Sequence, residues 1–210
     1  MSAYHHTEVI DFVGQDYLNS VEVAIETGTE QGNGTQILAD RYKKVITIEL
    51  DDIYYNEALV KFANTKNVEC HHGNSEEVLK SIIPTLTVPT MYWLDAHYMG
   101  TVNTDWEKSN WKGYINHSGC INNDESDSRN QNPIDRELQL IYNLHTPSAI
   151  LYIDDLDKFD EQGNGTKDKM FVGENWTHLN LDRLVETLGN RVRDIKHTPY
   201  HQMLIFLKEK

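Results

Sequence analysis

An α/β fold on a doubly wound, mostly parallel sheet is what this 210-residue sequence predicts. Three observations carry the prediction. Short β-favouring runs alternate with stretches of helical periodicity along most of the chain. A glycine-rich turn joins the first run to the first helix, and acidic residues stand at the ends of several later runs. The last two runs are separated only by a short polar turn, which reads as an antiparallel hairpin.

Residues 1–20 form an amphipathic lead-in, with Tyr4, Val9, Phe12, Val13 and Tyr17 at roughly helical intervals. Val21, Val23 and Ile25 then mark a first strand ending at Glu26. Gly28, Gly32 and Gly34 follow, and Thr35 opens a helix through Ile37, Leu38 and Tyr42. Val45 to Ile48 is a second strand, closed by Glu49. The next helix runs from Asp52 to Ala63, with Tyr55, Leu59 and Phe62 expected on its buried face. Val68 to His71 is a third strand, with Cys70 expected as a buried thiol. A helix over 76–82 follows, capped by Asn74 or Ser75.

Thr90 to Leu94 is a fourth strand, and Asp95-Ala96-His97-Tyr98 comes directly after it. Residues 99–132 then lose periodicity but keep Trp106, Trp111, Tyr114 and Ile115. Aromatic residues argue against disorder, so the segment reads as a lid or substrate-pocket insertion. Pro133 starts a helix through Leu138, Ile141 and Leu144. Ala149 to Ile153 is a fifth strand, ending in Asp154-Asp155. The polar loop 160–173 repeats at 161–166 the six residues EQGNGT of 30–35; the copy follows no strand and reads as coincidental turn chemistry. Leu179 to Leu188 is a helix, and Arg191–His197 and Gln202–Lys208 form the closing hairpin. The whole of 1–210 is expected as a single domain carrying the 99–132 insertion.

Composition narrows the function. The formal net charge is −14, which disfavours nucleic acid and anionic membrane as partners. Two cysteines make neither a disulfide framework nor a zinc pattern. No apolar run reaches membrane-spanning length, and the first residues lack the features of a signal peptide, so a cytoplasmic protein is expected. A homo-oligomer stays open.

The glycine turn carries the chemistry. Glycines between strand and helix let backbone approach a ligand, and an acid at the tip of the next strand is placed for ribose hydroxyls. A dinucleotide fingerprint would need a third glycine at Ile37, and a P-loop would need a lysine after Gly34. What stands here is E-x-G-x-x-x-G-x-G, followed by Glu49 at the next strand tip. This pattern, with the closing hairpin, resembles the class I S-adenosylmethionine-dependent methyltransferases. The resemblance implies a Rossmann-like, seven-stranded sheet. It also implies a cofactor held by Glu26, Gly28, Thr29, Gly32, Gly34, Thr35, Glu49, Asn74 and Asp95.

Asp95, Asp154 and Asp155 end two strands that should be neighbours, and such acids repel unless a hard cation neutralises them. The arrangement resembles the metal-dependent O-methyltransferases of the catechol and macrocin types. That implies Mg²⁺ or another divalent cation on Asp95, Asp154 and Asp155, and a sugar or phenolic hydroxyl as acceptor. The catechol type carries a lysine base where Tyr98 stands, so His97 is the expected base, with Tyr98 beside it. No N-P-P-Y motif is present, which disfavours methylation of nucleobase amines. The rival readings are a cofactor-cleaving enzyme on the same fold and a non-catalytic nucleoside-binding protein.

Overall fold

The computed structural model describes residues 20–97, 101–102, 132–167, 171–172, 174–198 and 201–210. The lead-in over 1–19, Tyr98, most of the 99–132 insertion and the hairpin residues Pro199 and Tyr200 lie outside them. The described elements are β1 (Val23–Thr27), α1 (Asn33–Ala39), β2 (Lys44–Glu49), α2 (Asp52–Lys61), β3 (Val68–His72) and α3 (Ser75–Ile82). They continue with β4 (Thr90–Leu94), β5 (Thr101–Val102), α4 (Ile134–Leu144), β6 (Ala149–Ile153), β7 (Phe171–Val172), α5 (Leu181–Thr187), β8 (Val192–His197) and β9 (Met203–Leu207).

Seven strands form one sheet in the order β3-β2-β1-β4-β6-β9-β8. The first five of that order run parallel; β9 is antiparallel to both β6 and β8. The chain moves outward from β1 to β3, then returns to place β4 on the other side of β1. The order therefore reverses between β1 and β4, the point at which open α/β sheets form a ligand crevice. The register Thr27↔Leu94 and Leu94↔Ile153 brings the ends of β1, β4 and β6 to one rim. β5 and β7 pair antiparallel as a separate ribbon, so the start of the expected insertion meets the loop after β6.

β1, β4, β6 and β9 are buried along their full length, as a sheet covered on both faces requires. Their side chains divide by period two. Ile25, Ile48, Tyr92, Leu151 and Ile205 face a core shared with Leu79, Leu138, Ile141 and Leu184 of the helices. Ala24, Met91, Trp93, Tyr152 and Phe206 face a second core shared with Leu38 and Tyr42. Two packing expectations change. Leu59 is 43% exposed, because α2 turns Ala58 inward in its place, while Phe62 at the C-cap is buried as expected. Cys70 is half-buried, because β3 is an edge strand. Among the described residues no helix is long and apolar enough to cross a membrane.

Candidate active site

The glycine turn is built around close approaches. Gly28 has φ +87°, and a Cβ there would lie 2.8 Å from the backbone oxygen of Asp95. Glycine thus lets the tip of β4 press against the end of β1. Gly32 has φ +69°, caps α1, and carries its hydrogen where a Cβ would strike the Phe62 ring at 2.7 Å. Gly34 lies in the first turn of α1.

Beneath the turn is a buried polar network. Glu26 Oε2 accepts from Thr35 Oγ1 at 2.5 Å and from Thr47 Oγ1 at 2.7 Å, and the Thr29 and Thr47 hydroxyls are 2.5 Å apart. These bonds tie β1, β2, the turn and α1 together. Burial pushes the Glu26 carboxyl up to about 7, against the two threonine bonds that favour its charge. A carboxyl raised from 4.5 in the unfolded chain keeps its proton longer when folded. Its contribution to stability is therefore full below pH 4.5 and lost as pH rises through about 7. Urea unfolding should show stability falling over that window, by an amount on the order of a few kcal/mol. Glu26→Gln should flatten the slope, and an unchanged slope would locate the effect elsewhere.

Glu49 stands at the tip of β2 with both oxygens engaged. Oε2 accepts from the Glu30 N–H at 2.8 Å and Oε1 from the Asp51 N–H at 2.9 Å. Burial raises its pKa, while these backbone bonds oppose the rise. Each carboxylate oxygen has a second lone pair, so the group can still accept from a ligand. Asn74 is the N-cap of α3, its side chain accepting from the Glu76 N–H at 2.9 Å.

The acidic residues converge at the ends of β4 and β6. His97 lies between them: Nδ1 is 3.6 Å from Asp95 Oδ1, and Nε2 is 3.6 Å from Asp155 Oδ2 and 3.9 Å from Glu174 Oε1. These separations exceed hydrogen bonds. One ligand atom each of Asp95, His97 and Asp155 falls within a 4.8 Å cluster. Small side-chain movements would bring such atoms to the ~2.1 Å radius of Mg²⁺, and oxygen donors with an imidazole suit a divalent cation. The chemistry of the donor set therefore fits a metal. Asp154 completes the acid group but turns its Oδ1 to the Asp155 N–H at 2.8 Å. Asp155 itself has φ +58°, a backbone form that non-glycine residues adopt only when the surroundings impose it. Desolvation raises Asp95 well above the usual carboxylate range, and Asp154 and Asp155 push it further. Desolvation also raises Asp155 to about 6, with His97 opposing.

Several residues in and around this crevice escaped the sequence reading. The space between its walls is about 220 Å³ including the open mouth, and Glu137, Asn132 and Trp176 line it beside the acids. Burial pushes the Glu137 carboxyl up to about 7, opposed by hydroxyl contacts from Ser75 and Thr27. Glu137 was detectable: it lies on the same stripe of α4 as Ile134, Leu138 and Ile141, and an acid on an apolar stripe calls for a partner. Trp176 stacks at a tilt on His97, with centroids 5.3 Å apart, and donates Nε1–H to Glu174 at 2.6 Å. No sequence pattern marks that pair. The second EQGNGT copy holds it in place. Asp160 accepts from the Gln162 and Asn164 amides, and Gly165 passes so close to Trp176 that a Cβ would lie 1.9 Å from its carbonyl oxygen.

No protein-family model matches this sequence, and no curated protein does. Solved structures do match. A proposed O-methyltransferase from Klebsiella pneumoniae aligns over 100% of this chain and 82% of its own, with TM-score 0.55 and 13% identity. An S-adenosylmethionine-dependent methyltransferase from Aquifex aeolicus aligns over 96% and 88%, with TM-score 0.53 and 17% identity. A proposed S-adenosylmethionine-dependent methyltransferase from Listeria monocytogenes aligns over 100% of both chains, with TM-score 0.55 and 15% identity. The fold is that of the class I methyltransferases.

Proposed function

We propose that this protein is an S-adenosylmethionine-dependent methyltransferase acting on oxygen of a small hydroxylated acceptor, a sugar or phenolic, with a divalent cation. The observation that supports the reading is the convergence of Asp95, His97 and Asp155 on the same rim as the glycine turn. S-adenosylmethionine supplies the methyl group. Gly28, Gly32 and Gly34 keep the turn free of side chains, and Glu26, Thr29 and Thr35 fix its shape from below. Glu49 accepts from the ribose hydroxyls, and Asn74 lies toward the adenine. Asp95 and Asp155, with the charge of Asp154 behind them, would hold Mg²⁺ or another divalent ion, which supplies Lewis acidity that lowers the pKa of the acceptor hydroxyl. His97, whose ring lies between the two strand tips, takes the acceptor proton.

The test is transfer of a labelled methyl group to a metabolite pool, with and without chelator. Labelled product that disappears on chelation and returns with Mg²⁺ supports the reading. Cofactor breakdown without an acceptor would instead indicate a cofactor-cleaving enzyme, and binding without turnover a non-catalytic protein. Glu49→Ala should weaken cofactor binding by about 1.5–3 kcal/mol, since a charge-assisted contact is lost. Calorimetry on the folded variant measures this, and unchanged affinity would remove Glu49 from the cofactor site.

A further inference from the structure

The floor of the crevice holds two unsatisfied polar atoms of opposite kind. Asn132 is 2% exposed and Glu137 is 0% exposed. Asn132 Nδ2, a donor, and Glu137 Oε1, an acceptor, are both buried without a hydrogen-bond partner. The other atom of each side chain is committed: Asn132 Oδ1 accepts from the Ile134 N–H at 3.3 Å, and Glu137 Oε2 accepts from Thr27 Oγ1 at 3.4 Å. Both residues line the space that Asp95 and Asp155 line. A buried donor or acceptor left unmade is costly, so two in one cavity mark a place built for a guest.

We propose that Asn132 and Glu137 form a subsite for one further hydroxyl of the acceptor, beyond those held at Asp95 and Asp155. The inference rests on the reading of that crevice as the acceptor site. A hydroxyl can serve either atom, because it accepts from an amide N–H and donates to a carboxylate oxygen. A methyl or ring carbon would leave both unmet. The acceptor is then polyhydroxylated, with a third oxygen placed against helix α4. A lone alcohol or simple phenol does not satisfy the site.

The probes are catechol against pyrogallol, which adds one contiguous hydroxyl, and a methyl hexopyranoside against its monodeoxy forms. Binding is measured by calorimetry on the full chain with Mg²⁺ and S-adenosylhomocysteine present. The wild type should prefer the more hydroxylated partner in at least one series by about tenfold or more, the scale of hydrogen bonding to a charged group. Glu137→Gln and Asn132→Ser should each erase that preference. Serine can still accept from the Ile134 N–H but cannot reach as the amide does, and glutamine keeps the shape while exchanging an acceptor for a donor. Circular dichroism confirms that each variant is folded. A preference that survives in both folded variants overturns the proposal. So does a wild type that binds S-adenosylhomocysteine and Mg²⁺ yet shows no preference in either series. A wild type that binds no cofactor fails earlier, and overturns the methyltransferase reading itself.

Discussion

Asp95→Asn should reduce labelled methyl transfer at least 100-fold, about 3 kcal/mol in the barrier. The size follows from where Asp95 lies. It ends the strand at which the sheet order reverses, it faces His97, and it shares the crevice with Asp154 and Asp155. Without a cation, burial and those two neighbours hold its proton on. With a cation, its charge is what binds the ion. Asparagine keeps the shape and removes the charge, so affinity for Mg²⁺ should fall with activity. The metal-free variant should be no less stable than the wild type, because asparagine replaces a buried carboxyl that already resists carrying charge there with a neutral group of the same shape. That stability readout separates lost chemistry from lost folding. Asp155→Asn should behave alike, and Asp154→Asn should cost less, since its Oδ1 is engaged with a backbone amide. Full turnover in Asp95→Asn would place acceptor activation elsewhere.

Gly165→Ala should destabilise the protein by about 3 kcal/mol or more, a drop in melting temperature of roughly 6–12 °C for a chain of this size. The added Cβ would meet the Trp176 carbonyl oxygen at 1.9 Å, and neither partner can give way alone. The Gly165 N–H is bonded to Leu179 O, and the Trp176 N–H to Thr166 O. The two strands of backbone must part, and Trp176 must move away from His97. Activity should therefore fall in the fraction that still folds. Thermal denaturation with a parallel transfer assay measures both effects. A variant as stable as wild type would show that this loop can open without strain.

The two EQGNGT copies show how much the sequence made legible. Identical residues form a strand-to-helix turn in one place and a tryptophan clamp in the other. What separates them is context: the first copy follows a strand and opens a helix, and that was readable. The reading of the second copy as a turn holds, with Gly163 at φ +74°. Its contact with Trp176 is a tertiary event that leaves no local pattern. The same division runs through the molecule. The β4 and β6 boundaries match the apolar runs, because strands buried on both faces read as unbroken hydrophobic stretches. The acids after those strands were readable as a group. The convergence of His97 with Asp95 and Asp155, rather than Asp154, was not, because it depends on the left-handed backbone at Asp155. Asn132 and Glu174 reach the crevice from loops whose courses no periodicity describes.

The place of β9 in the sheet sets an order on how the molecule assembles. β9 lies between β6 and β8, and its pairing joins residues as distant as Ala149 and Leu207. β1 to β4 and β6 can pair with one another as they emerge from the ribosome. β6 nevertheless keeps one bare edge until residues 203–207 are made, and β8, made earlier, has no neighbour to join. Closure of the sheet is thus a late, long-range step, of the kind that slows folding. Until it happens, the open flank of β6 is an apolar strand edge of the sort that pairs between chains. Synthesis rate and chaperone access over that interval should bear on the yield of native protein more than the chemistry of the crevice does.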